Sequence, residues 1–362
     1  MTGWTSTTFA DVLDLQRGHD LPAVDRVPGD IPIIGSFGVT GSHNVARYPG
    51  PGVAIGRSGA AIGRATIVNG PFWPLNTCLF VTSFKGNDPR WIYWLLKLID
   101  FTQFNSGSAQ PSLNRNFLAG IAVMRPPLAE QQAIAEVLGA LDDKIAANSG
   151  LLIAIERLAS TTYDSLPVAA SQPLTDLANF VNGKAYTKGA TGSGRVVIRI
   201  AELNSGLGRS TVYNDLSVSD QHLARPGDLL FAWSGSLTVR RWFRPEAIIN
   251  QHIFKVIPRE GVPMWLVDQA LQRRLVEFKL IAADKATTMG HIQRKHLEEP
   301  VALPSPEDVS RLDPLMSSLW ARALAAEQES LILEELRDTL LPELMSGRLR
   351  VRDAEKYVEQ VV

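Results

Sequence analysis

The sequence predicts an α+β protein in which two similar heads of short strands and helices are separated by two long helices. The helices are expected to pair as an antiparallel coiled coil about an approximate two-fold axis. Three observations carry this: a heptad pattern sustained over about residues 128 to 165, a charge that alternates in sign along the chain, and an internal repeat.

The first long helix lies in "PPLAEQQAIAEVLGALDDKIAANSGLLIAIERLAS". Ile134, Leu138, Leu141, Ile145, Asn148, Leu152, Ile155 and Ala159 are spaced alternately by four and three residues, the a/d seam that winds two helices together. Asn148 is a lone polar seam residue of the kind that fixes register. Pro126 and Pro127 precede the helix and Pro167 ends it, while Gly139 and Gly150 each cost about 1 kcal/mol against alanine. At 1.5 Å per residue the helix spans roughly 55 Å. The narrow seam favours a spacer with a partner helix over a core helix of a compact domain.

The chain has 362 residues, of which 45% are hydrophobic, with a mean hydropathy of +0.01, enough for two globular cores and too apolar for disorder. No apolar run of membrane length and no basic-then-apolar leader is present, so a cytoplasmic location is expected, with no membrane partner. The single cysteine, Cys78, excludes an internal disulfide framework and reads as a small buried hydrophobe. Residues 1–127 hold 10 Lys and Arg against 7 Asp and Glu, and residues 171–305 hold 17 against 12. Residues 128–170 hold 2 against 6, and residues 306–362 hold 7 against 12. A net charge of -1 therefore conceals two mildly basic blocks, which suit an anionic partner, and two acidic ones.

The alternation points to duplication. "FADVLDLQRG" (9–18) matches "LTDLANFVNG" (174–183), and "PGVAIGRSGAAIGRATI" (51–67) matches "GDLLFAWSGSLTVRRWF" (227–243), which sets Arg64 on Arg240. "SLNRNFLAGIAVMRPP" (112–127) matches "HIQRKHLEEPVALPSP" (291–306), which sets Arg115 on Arg294. The repeat requires a second helix after residue 306. Leu312, Met316, Leu319, Ala323, Ala326, Ser330 and Leu333 supply its seam, which then shifts toward Leu336 and Leu340 before the stop at Gly347. The expected organisation is head 1–127, helix 128–170, head 171–305, and helix with tail 306–362.

In the heads, "VAIG", "ATIV", "CLFVTSF", "RVVIRIAEL", "DLLFAW" and "HIFKVI" read as strands. "PRWIYWLLKLIDFTQF" and "PMWLVDQALQRRLVEFKLI" read as helices at matching places. Catalytic signatures are missing: there is no phosphate loop, no nucleophile elbow and no tetrad of the adenine methylating enzymes. His19, His43, His222, His252, His291 and His296 lack metal spacing, so no metal and no catalytic residue is assigned. What remains is basic and small polar. The first head offers Arg57, Ser58, Arg64, Ser108, Gln110, Asn114 and Arg115. The second offers Trp233, Ser234, Arg240, Arg241, Thr287, His291, Arg294 and Lys295. Guanidinium and amide groups read purine edges in the major groove, and Lys, Ser and backbone N–H groups hold phosphates, so these are the candidate DNA-binding residues.

Two segments resemble a known family. "RPPLAEQQAIAEVLGALDDKI" (125–145) is similar to the "PPL-x-EQ" helix opening of the specificity subunits of type I restriction-modification systems. "ELRDTLLPELMSGRLRV" (335–351) is similar to their second such region. "PSPEDVSRL" departs from the first pattern, so packing at that junction is expected to differ. The resemblance implies two target recognition domains, each reading half of a split double-stranded DNA sequence. It also implies that the coiled coil sets the gap and docks two methyltransferase subunits. Those subunits bind S-adenosylmethionine and methylate adenine, and motor-nuclease subunits using ATP and Mg join to restrict. The chain itself would carry no cofactor and no active site. A coiled-coil scaffold without DNA specificity, and a chain of a methylation-only or fused-type system, are the alternatives.

Overall fold

The computed structural model describes residues 3–104, 112–284 and 290–359. It divides into two compact units, Met1–Lys144 with Ile332–Val362 and Ile145–Leu331, so each long helix contributes to both.

The first unit runs β1 (Thr5–Thr8), α1 (Phe9–Val12), β2 (Asp14–Arg17), β3 (Ile31–Gly35), β4 (Gly38–His43), β5 (Gly52–Gly56), β6 (Ala65–Val68), β7 (Trp73–Pro74), β8 (Cys78–Ser83), α2 (Pro89–Leu98) and β9 (Ala122–Arg125), then enters α3 (Leu128–Asp164). Strands pair in the order β2-β8-β5-β6 in one antiparallel sheet and β4-β3-β7 in a second, with β3 and β7 parallel, while β1 and β9 form a ribbon.

The second unit runs β10 (Ala170–Pro173), α4 (Leu174–Leu177), β11 (Ala178–Asn182), β12 (Arg195–Ile198), α5 (Ile200–Ser205), β13 (Val212–Asn214), β14 (Leu223–Ala224), β15 (Leu229–Ala232), β16 (Thr238–Arg241), β17 (Ala247–Ile249), β18 (Ile253–Pro258), α6 (Met264–Asp284) and β19 (Pro300–Leu303), then enters α7 (Pro306–Met345); α8 (Val351–Glu359) follows in the first unit. Its sheets are β11-β18-β15-β16 and β13-β12-β17-β14, with β12 and β17 parallel, and β10 pairs with β19. The fold class is α+β, and the antiparallel sheets of the two heads repeat one strand order, while the second head's mixed sheet has one strand more.

Sequence dictates these elements locally. Asp88 caps α2, its carboxylate accepting from the N–H groups of Arg90 and Trp91 at 2.9 and 3.0 Å, and Pro89 occupies the first turn where no donor is needed. β15 is buried at all four positions because both its faces are covered, which is why it reads as an unbroken apolar run. Leu229 and Phe231 join Trp265, Leu271 and Phe278 of α6, while Leu230 and Ala232 join Ile198 and Ile249 of the other sheet. Cys78 is wholly buried, its thiol pushed up to about 12 by burial while donating to the Leu75 carbonyl at 3.2 Å. One expected strand stops early. "RVVI" is extended, but Glu202 accepts from the N–H of Arg199 at 3.0 Å, and "IAELNS" turns into α5.

The seam residues lie inward. In the first unit Ile134, Leu138 and Leu141 are buried, as are Leu333, Leu340, Leu341 and Leu344 of α7, and Arg337 pairs with Asp142 at 2.7 Å. Ala135 and Val137 are buried too, so this part of α3 buries a broader face than two seam positions per heptad. In the second unit Ile155, Ala323 and Ala326 are buried, and Ile145, Leu152 and Leu319 are half-buried. Asn148 is 2% exposed and donates to Glu329 at 2.8 Å and to Ser330 at 3.3 Å. Further along that unit Ala159 and Leu319 pack against one core, so the segments run antiparallel there. Gly347 ends α7 with φ 74, the left-handed conformation that glycine supplies at a helix stop.

The "PPLAEQ" motif has a physical role. Gln131 is 1% exposed; its amide donates to Asn87 Oδ1 and to the Pro126 carbonyl, each at 2.9 Å, and accepts from the N–H of Asp88 at 2.9 Å. Asn87 in turn donates to the carbonyls of Val12 and Phe84 at 2.8 and 3.0 Å and accepts from Arg125 at 2.8 Å. Glu130 accepts from the Trp4 indole at 2.9 Å. In the second head Val262 and Val309 occupy the equivalent positions and pack on the apolar core, and Ser305 with Asp308 caps α7 instead. The expected difference at this junction is thus amide against aliphatic packing. Gln131→Val leaves the Pro126 carbonyl and the Asp88 N–H without their side-chain partner and is expected to cost about 2–6 kcal/mol in urea unfolding, on the order of 1–3 per orphan. Asn87→Val with Gln131→Val is expected to cost less than the sum of the single variants, because the two amides share one network. Additive costs would show that they do not.

Candidate nucleic-acid interface

In each head the chain leaves the third strand of the antiparallel sheet and is caught by the segment that precedes a 3₁₀ turn. The N–H of Arg57 donates to the Thr77 carbonyl at 3.1 Å, its carbonyl accepts from Leu113 at 2.8 Å, and Ser58 bridges to Ser112. In the second head Trp233 donates to the His252 carbonyl and accepts from Ile292, each at 3.1 Å, and Ser234 bridges to His291. The turns Arg115–Phe117 and Arg294–Leu297 follow at matching distance. The backbone frame is one; the side chains on it differ.

In the first head Arg57 is half-buried and donates to the Asn76 carbonyl at 3.2 Å, and Ser58 is half-buried beside it. Arg64 is exposed, its guanidinium 6.0 Å from the ring centre of the exposed Phe37. Asn114 caps the turn by accepting from Asn116 at 3.0 Å, and Arg115 reaches back to the Leu15 carbonyl at 3.2 Å. In the second head Trp233 donates to Asn182 at 2.8 Å and stacks on Phe254 with ring centres 5.7 Å apart; His291 meets its edge at 6.4 Å. Arg240, Arg294 and Lys295 are exposed. Ser108, Gln110 and Thr287 lie outside the described residues.

Three sequence expectations change. Ser234 is 6% exposed and serves as a backbone bridge. Arg241 faces away from its neighbour Arg240, as alternation along a strand requires. It pairs with Glu327 at 2.8 Å and lies 4.4 Å from the Trp320 ring centre, so its charge is already engaged on α7. The sequence alignment of Arg64 with Arg240 also shifts. Ile55 pairs with Ala65 in one hairpin and Ala232 with Thr238 in the other, and the first loop is longer, so Arg64 sits at the loop end and Arg240 inside a strand. Phe37, an aromatic residue in the glycine-flanked turn "GSFG", stands beside Arg64 outside the set of basic and small polar candidates.

Beside Arg241 the second unit holds a cavity of about 770 Å³, with Glu156, Asp268, Trp320 and Glu327 among its lining residues. Burial pushes the Asp268 carboxyl up to about 6, against hydrogen bonds from Gln272 and Gln269 and the charge of Arg241. Burial raises Glu327 as well, opposed by its bond to Arg241. Among the described residues no group of three or more His, Cys, Asp or Glu could hold a metal, and no helix is long and apolar enough to cross a membrane.

Residues 1–157 match the family model described as type I restriction modification DNA specificity domain. Over those residues the chain is similar to a type I specificity domain. The chain is 28% identical over 140 residues to the specificity subunit of the type I restriction enzyme EcoprrI from Escherichia coli. That match takes in 37% of this chain and 35% of that subunit, about a third of the relative's length. The fold agrees with the crystal structure of a type I restriction-modification system S subunit from M. genitalium. The TM-score is 0.63 at 17% identity, covering 95% of this chain and 96% of that one, a likeness of fold alone.

Asp268 yields a pH prediction. Its folded pKa of about 6 lies above the ordinary 3.8, so the charged form is disfavoured in the fold. The penalty is absent below pH 4 and complete above pH 6. Asp268→Asn is expected to raise Tm at pH 8 and to leave it unchanged at pH 3.5. A variant less stable than the parent at pH 8 would show that the carboxylate is a net stabiliser.

Proposed function

We propose that the chain is the sequence-reading, non-catalytic subunit of a type I restriction-modification assembly. Each head reads one half of a bipartite, asymmetric duplex target. The long helices set the gap and dock two methyltransferase subunits, which bring S-adenosylmethionine and methylate adenine; motor-nuclease subunits with ATP and Mg complete the restricting form. The observation that carries this reading is the shared backbone frame bearing unlike side chains. Arg57, Arg64 and Arg115 on one frame, and Trp233, Arg240, Arg294 and Lys295 on the other, present different donors to a groove. The match of residues 1–157 to the specificity-domain model supports it in the first head, and the strand order shared by the antiparallel sheets supports extending it to the second.

Co-expression with the partner methyltransferase and mapping of methylated adenines tests it. Two unequal half-sites at a constant gap are expected. Arg64→Ala is expected to relax only the first half-site and Arg240→Ala only the second, each by about 1–3 kcal/mol of discrimination where the arginine meets a base. A phosphate contact would instead weaken all sequences alike and lower the salt slope. One continuous motif, or identical halves, counts against the proposal.

A further inference from the structure

The β3–β4 hairpin of the first head closes through Ser36 and Phe37, between Gly35 and a Gly38 at φ 104. A tight turn of this kind usually carries small polar residues. Phe37 instead is 59% exposed, and Val39, two residues further on in β4, is 58% exposed. The turn is anchored: Ser36 Oγ donates at 2.6 Å to the Thr77 carbonyl, the same carbonyl that receives the N–H of Arg57. The Arg64 guanidinium lies 6.0 Å from the Phe37 ring centre. An apolar ring is therefore hung on the frame that carries the candidate arginines. In the second head this connection holds α5, and residues 199–211 include no aromatic.

We infer that Phe37 is a specificity-determining residue of the first head, its ring meeting the C5 methyl of a thymine beside the base addressed by Arg64. The inference rests on the proposed reading of DNA by the heads. Among base edges in the major groove, the thymine methyl is the apolar feature that a Phe ring contacts. A guanidinium near the ring face is oriented by it, so arginine and ring arrive as a unit. Removing one methyl from such a contact is expected to lower recognition about fourfold.

The test uses the chain assembled with its methyltransferase subunits, and duplexes in which each thymine of the mapped target is replaced in turn by deoxyuridine. For the parent, one replacement in the first half-site is expected to lower methylation kcat/KM about fourfold. Phe37→Ala, or Phe37→Asn where the alanine variant does not fold, is expected to be slower on the thymine duplex and indifferent to that replacement. Replacements in the second half-site should affect parent and variant alike. A first half-site without an A·T pair, or a deoxyuridine profile shared by parent and variant, overturns the inference; a ring wedged between bases would give the second result. Absence of sequence-specific methylation by the parent would overturn the reading of the heads instead.

Discussion

What each head can display depends on one constraint, the burial of its third sheet strand on both faces. All five residues of β5 and all four of β15 are buried, so the backbone leaving them has no water to bond. The N–H of the next residue goes to a neighbouring carbonyl, Thr77 or His252, and its own carbonyl is taken by Leu113 or Ile292. These bonds involve backbone alone. The side chain at that point is free to be Arg57 in one head and Trp233 in the other without disturbing the frame. A scaffold held by its main chain can change what it recognises while keeping its geometry.

The attachment of each head to its helix shows the opposite economy. At the start of α3 a buried amide pair, Asn87 and Gln131, satisfies four backbone groups from three segments of the chain. At the start of α7 two valines and a serine cap occupy the equivalent place. Both solutions bury the junction. The amide network demands that every partner be present, since each orphan carries a desolvation cost, whereas the valines demand only shape. This accounts for a motif legible at one junction and absent from the other.

The acidic helical segments are engaged within their own units. Asp142 holds Arg337 at 2.7 Å and Lys97 at 3.9 Å in the first unit. Glu327 holds Arg241, and Asp164 holds Arg273 over the Tyr163 ring, in the second. Part of the charge alternation is therefore internal compensation between helix and head. Of the candidate basic residues, Arg64, Arg115, Arg240, Arg294 and Lys295 are exposed, while Arg241 is engaged on α7.

By itself the sequence determined the features that rest on local physics. The four-three spacing of Ile134, Leu138 and Leu141 requires one buried stripe, Asp88 before Pro89 starts a helix, and Gly347 stops one. The repeat was legible because both copies use the same local signals in the same order, and the candidate residues Arg57, Ser58, Asn114 and Arg115 do gather on one frame. Only the tertiary structure decided which of two adjacent arginines faces α7, that the hairpin loops differ in length, and that Phe37 stands beside Arg64. Arg241 is 86 residues from Glu327, and Gln131 is 44 from Asn87. No periodicity within a segment encodes such distances. They are set by which faces the packed sheets and helices must bury, and that choice exists only once the whole core has formed.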